Sequence, residues 1–213
     1  MKYYLELRAV VHEDFSMESK HSKLISSLEH LSANWNLSSS QSPSLSPGDP
    51  CAVLTISKCL PKGVRGEIVY QRRLPYDDKA SNDDYISINF DPNKVEYKKL
   101  IEQIFPGYIS AFQPYWANIY DEEFTFLDFT EIRKQQIEAR HQIYRISPVT
   151  YLHQNYTQRA LGMTPEQVIK KLDGNVERVE LISGGVYIIL SSYPLPTEEM
   201  DKLCWKAKGF LMK

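Results

Sequence analysis

The chain has 213 residues, a formal net charge of −2, 42% hydrophobic residues and 24% charged residues. That length buries enough surface to hold a core without disulfide or metal staples, as one large domain or two small ones. The near-neutral charge excludes a global basic footprint for nucleic acid, and no apolar run reaches the length of a membrane span.

Residues 3–11 alternate and are rich in β-formers, which predicts a first strand. Lys2, Glu6 and Arg8 stand where a secretory leader needs an apolar run, so a cytoplasmic protein is expected. Ser16 is placed to cap a helix over residues 17–33, with Leu24, Ile25, Leu28, Leu31 and Trp35 as its core stripe. Residues 37–50 are dominated by Ser, Pro and Gly and read as a loop. Residues 52–58 and 66–72 read as strands joined by the turn sequence Leu60-Pro61-Lys62-Gly63. A polar connection over 74–84 leads to a short strand at 85–90.

A helix starting at Asp91-Pro92-Asn93 carries a broad apolar face, Leu100 to Phe112, and Pro106 inside it predicts a kink or break. Residues 116–120 read as a strand and 126–144 as a helix of poor periodicity. Residues 148–152 read as a strand, followed by a short helix around Gln158 to Leu161. Thr164-Pro165-Glu166-Gln167 is a helix start with cap, N1 proline and first-turn acid, and Gly174 marks its end. Residues 179–182 and 186–190 flank Ser183-Gly184-Gly185, a hairpin signal, and Thr197 is placed to cap a last helix. Adjacent strands are hairpin-linked, which predicts an α+β fold. It has mostly antiparallel sheet with packed helices, in two related strand-and-helix modules. We expect a single domain over 1–213 with submodules 1–144 and 145–213.

The chemistry-bearing residues reduce to few candidates. Gly184-Gly185 lacks the spacing, lysine and following helix of a phosphate loop. The five histidines have no metal-ligand spacing, and the three cysteines (Cys51, Cys59, Cys204) form no Cys-x-x-Cys pair, so free thiols in a reducing compartment are expected. Pro75-Tyr76-Asp77 followed by Glu96-Tyr97-Lys98 mimics a metal-dependent nuclease pattern, but that chemistry needs the second motif on a strand, and here it opens a helix. Asp77-Asp78 and Asn82-Asp83-Asp84 lack the central glycine and closing glutamate of a calcium loop. No serine or cysteine has a recognisable base partner. We expect no catalytic residue, cofactor or metal.

A charge pattern remains. Acids outnumber bases between Leu74 and Glu131, with aromatics among them. Acids speed encounter with a basic cleft and rings anchor the complex, so Tyr76, Asp77, Asp78, Asp83, Asp84, Tyr85, Asp121, Glu122 and Glu123 are the candidate partner-binding residues. A solvated acidic face accounts for the same residues. Fourteen tyrosines against nine glycines suit either half-buried sheet positions or a contact surface.

Residues 159–166 (Arg-Ala-Leu-Gly-Met-Thr-Pro-Glu), Leu172-Asp173-Gly174, Gly185 to Ile189 and Pro194-Leu195 resemble the immunity protein 52 family of bacterial polymorphic toxin systems. The likeness covers roughly the last third of the chain and extends loosely to Phe105-Pro106-Gly107-Tyr108 and Leu74-Pro75-Tyr76. It implies a non-enzymatic protein that binds a cognate protein toxin, a nuclease, in the cytoplasm and silences it by occlusion. It implies no direct contact with nucleic acid or membrane. Two alternatives stay open: a metal-dependent hydrolase using Asp77, Asp78, Asp83 or Asp84, and a regulatory binding module unrelated to toxins.

Overall fold

Tyr3, Leu5 and Leu7 are fully buried while Tyr4, Glu6 and Arg8 are half-exposed, so the first strand, β1 (Tyr3–Ala9), lies with one face on a core. The computed structural model describes residues 2–11, 16–46, 48–72 and 79–212. Around β1 assemble β2 (Cys51–Thr55), β3 (Arg65–Gln71), β4 (Asp84–Phe90), β5 (Trp116–Asp121), β6 (Val149–His153), β7 (Arg178–Ile182) and β8 (Gly185–Ile189). They form one eight-stranded antiparallel sheet in the order β2-β3-β4-β1-β5-β6-β8-β7. The fold is α+β. Two meanders build the sheet: β2-β3-β4 returns to pair with β1, and the β7-β8 hairpin returns to pair with β6. The β5–β6 pairing joins them, from Trp116↔Leu152 to Ile119↔Val149, and carries the sheet across residues 140–147.

The inner face of the sheet carries one continuous apolar layer, from Leu54 and Ile68 through Ile86, Leu5 and Ile119 to Tyr151 and Tyr187. It is covered by α1 (Met17–Leu28) and by a helical run made of α2 (Tyr97–Lys99), a π-helical stretch (Leu100–Ile104) and α3 (Phe105–Phe112). Ser16 caps α1 as expected, accepting the Ser19 N–H, but the helix ends at Leu28. Leu31 and Trp35 still reach the core, from the turns that follow.

The irregularity expected at Pro106 falls in the turn before it. In the wide π pattern Phe105 N–H reaches the Leu100 carbonyl. The next donor in that pattern would be residue 106, and proline has no N–H. The carbonyl left over, that of Ile101, accepts the Tyr187 hydroxyl instead, at 2.7 Å. A proline effect in one half of the chain is thus answered by a tyrosine of the other.

The second face of the sheet is covered only in part. Over β6 and β8, Leu152, Val186 and Ile188 pack under α5 (Gln154–Leu161), α6 (Pro165–Leu172) and α7 (Thr197–Leu211), forming a second core. The helix α6 has the expected capping box: the Thr164 hydroxyl accepts Gln167 N–H and the Gln167 amide oxygen accepts Thr164 N–H. Gly185 is obligatory, since a Cβ there would lie 2.4 Å from the Leu152 carbonyl oxygen. The helix expected over 126–144 is instead α4 (Glu122–Lys134), because Asp121 caps it and Glu122 and Glu123 fill its first turn. Thr197 does not cap α7; Pro196 holds the cap position. All three cysteines are free; Cys59 and Cys204 are buried, and burial pushes the Cys204 thiol up to about 12. No described helix is long and apolar enough to cross a membrane.

Candidate protein-docking face

Over β4, β1 and β5 no layer of described helices is packed across the second face of the sheet, and its side chains join into a ladder. The sequence alternation that buries Tyr3, Leu5 and Leu7 turns Tyr4, Glu6 and Arg8 outward. Register then sets Tyr4 beside Tyr120, Glu6 beside Asn118, and Arg8 between Tyr85 and Trp116. The Tyr4 and Tyr120 rings stack at 5.7 Å. The Tyr4 hydroxyl donates to Glu122 Oε1 at 3.2 Å, and the Tyr120 hydroxyl to Glu6 Oε2 at 2.9 Å. Glu6 accepts Arg8 Nε at 2.7 Å, and the Arg8 guanidinium lies over the Tyr85 ring. Tyr85 donates to Glu67 Oε1 at 3.4 Å. Acids and rings therefore follow one another across four strands, from Glu67 on β3 to Tyr120 on β5, and onto the first turn of α4.

Beside this ladder lies a groove of about 580 Å³. Glu6, Arg8, Trp116, Asn118 and Tyr120 floor it, α4 walls it with Phe124, Phe129 and Ile132, and residues 137–147 close its other side with Ile137 and Ile143. Along α4, Phe126 and Phe129 stand 84% and 55% exposed, next to the solvent-facing Glu122 and Glu123. These two rings, beside a groove rather than scattered singly, make the apolar part of the candidate docking face.

Two arginines hold the groove's far wall. Arg140 donates from Nε and Nη2 to Asp83 Oδ1 at 2.9 and 2.6 Å, and the Tyr115 hydroxyl takes Asp83 Oδ2 at 2.6 Å. Burial pushes the Asp83 carboxyl up, against the pull of Tyr115 and Arg140. Arg145 forks onto both oxygens of Asp128 at 2.6 Å, reaches Asp201 on α7, and lies over the Phe124 and Trp205 rings at 4.5 and 4.9 Å.

These contacts correct the expected acidic surface. Asp83 is wholly buried in its pair with Arg140. Asp84 is buried too, with Oδ1 on the Gln71 N–H and Oδ2 on Lys20. Asp121 accepts the Glu123 N–H on Oδ1 and the Thr197 hydroxyl on Oδ2, at 2.7 Å, so it joins the starts of α4 and α7. All three carboxylates do internal work and cannot meet a partner. Tyr76, Asp77 and Asp78 lie outside the described residues. Tyr85, Glu122 and Glu123 do reach the surface, and the ladder brings Tyr85 and Glu122 onto one face. Sequence reasoning missed Tyr4, Glu6, Arg8, Phe126 and Phe129; the outward half of β1's alternation was the available signal. Asp83 and Asp84, two of the acids proposed for a hydrolase, are spent in the fold, and among the described residues no His, Cys, Asp and Glu side chains gather in threes around a metal-sized space.

No protein-family model matches the chain, and no curated protein matches it. Among solved structures it is similar to the Pseudomonas aeruginosa T6SS protein PA0821, with a TM-score of 0.58 and 11% identity over 99% of this chain and 71% of that one. At that identity the likeness is one of fold.

Proposed function

We propose that this protein binds a cognate protein toxin, a nuclease, and neutralises it by occluding its working surface. The observation that carries the reading is the open sheet face: an acid-and-aromatic ladder running into the exposed Phe126 and Phe129 of α4. A nuclease cleft is built to receive phosphate, so its lysines and arginines suit Glu122 and Glu123, while the two phenylalanines supply desolvated anchors. The resemblance of residues 148–196 to immunity proteins supports the reading. So does the shared fold with a protein whose name associates it with a T6SS.

The test is capture of the tagged protein with its bound partner from the cell that makes it, followed by assay of that partner. A one-to-one partner that cuts nucleic acid alone and stops cutting when this protein is added back supports the reading. A captured partner whose activity is untouched at saturation contradicts it.

A further inference from the structure

Next to the docking groove, with Tyr156 between them, a second cavity of about 590 Å³ lies among α3, β6 and the start of α5. Among the described residues its lining contains no aspartate or glutamate. Arg159 on its rim has no hydrogen-bond or ion-pair partner among the described residues. His153 accepts the Asn155 N–H on Nδ1 at 3.3 Å, so the neutral ring carries its proton on Nε2. Nε2 itself has no hydrogen-bond partner among the described residues. The hydroxyls of Tyr115, Tyr151 and Tyr156 are all spent, on Asp83, the Ser183 carbonyl and the Ala139 carbonyl, so these residues offer the cavity ring surface.

Of the four described non-glycine residues with positive φ, two lie here. Gln113 at the end of α3 has φ 53°, and Ser183 in the β7–β8 turn has φ 44°. Glycine is the favoured residue at a left-handed helix cap and in this kind of hairpin turn. The chain instead keeps a polar side chain at each, and both line this cavity. Side chains held in unfavourable backbone positions cluster where they are used.

We infer that this cavity binds a small organic anion, its carboxylate or phosphate at Arg159 and His153 and its unsaturated body against the tyrosine rings. Gln113 and Ser183 complete the polar rim. The inference does not depend on the docking face, with which the cavity shares only Tyr156.

Calorimetric titration of the whole chain with benzoate, phenyl phosphate and neutral benzamide tests it. The expected result is binding of at least one anion, no binding of benzamide, and weakening of about tenfold or more in Arg159→Ala, the loss of one charge-assisted contact. Arg159 is exposed, so that variant folds. Gln113→Gly and Ser183→Gly are expected to melt at higher temperature while binding the anion more weakly, which a purely structural role for those side chains would not produce. Tighter binding of phenyl phosphate assigns a phosphate ester, and tighter binding of benzoate a carboxylate. The inference is overturned if wild type binds neither anion, if benzamide binds as well as they do, or if Arg159→Ala binds unchanged.

Discussion

Asp83 shows how far a single carboxylate's role depends on residues distant in the chain. In sequence it belongs to an acidic run and reads as solvated; in the fold its partner Arg140 is 57 residues away. The same distance problem hides Asp84, whose partner Lys20 is 64 residues away, and Asp121, whose partner Thr197 is 76 away. Acid type and spacing are visible in a sequence, whereas a long-range counter-charge is not. A buried pair that loses one member leaves an uncompensated charge, so Arg140→Ala is expected to destabilise the fold by about 3–5 kcal/mol. The double variant Asp83→Leu, Arg140→Met should recover much of that loss, and chemical denaturation of the three proteins checks it. His21 makes a second prediction. It is buried, with Nδ1 on the Tyr70 hydroxyl at 3.1 Å and Nε2 on Ser40 at 2.9 Å, and burial lowers its pKa. The unfolded chain therefore binds a proton before the folded one does. This contribution to stability is complete above the ordinary histidine range near about 6.5 and is lost as pH falls below it. Burial lowers His153 in the same direction. His21→Gln should thus flatten, without abolishing, the fall in melting temperature between about pH 8 and pH 5.

Elements were legible where one periodicity served one face. The sequence alternation of β1, the cap-and-proline start of α6 and the Ser183-Gly184 turn all appear where expected, because local geometry and burial agree there. Helix α4 was misplaced for the opposite reason. Its pattern is inverted: Asp128 is buried on Arg145, while Phe126 and Phe129 face solvent. Reading apolar residues as core puts its start at Phe126, five residues after the Asp121 cap that begins it. An inverted helix is held by something other than its own apolar face. For α4 that is the Arg145 fork, the Asp121 junction and the single buried ring of Phe124. The exposed phenylalanines are then free of structural duty. Replacing Phe126 and Phe129 by serine should leave stability within about 0.5 kcal/mol, the range of surface substitutions. If they anchor a partner, the same change should weaken its binding by about 2 kcal/mol or more. Denaturation midpoints and partner affinity, measured on one preparation, separate the two; equal affinity with unchanged stability would remove α4 from the interface.

At the scale of the whole molecule, the sheet acts as a divider. One face is wholly consumed by packing, and the other changes character along its width, from the covered apolar strips of β6 and β8 to the open acid-aromatic strips of β5, β1 and β4. The acids on the open side are not equivalent. Glu6 is paired with Arg8, and Asp128 with Arg145, so little of their field reaches a partner. Glu122 and Glu123 are solvent-facing, and no ion pair is formed by either among the described residues. With a net charge of only −2, any attraction to a basic partner must come from such local clusters. Charges at an interface rim act mainly on encounter, while buried rings act on residence. Reversing both, as Glu122→Lys with Glu123→Lys, should therefore lower the association rate by about tenfold or more at low salt and change the dissociation rate far less. Raising the ionic strength should slow association of the wild type but not of the variant, because exposed charges more than a Debye length apart are screened, at about 10 Å in 0.1 M salt. Stopped-flow association with the captured partner, across a salt series, measures both rates. A variant whose association rate and salt dependence match the wild type would place the partner elsewhere on the molecule. Loss through faster dissociation alone would instead put Glu122 and Glu123 inside the buried centre of the contact, with the Tyr4–Tyr120 stack as its floor.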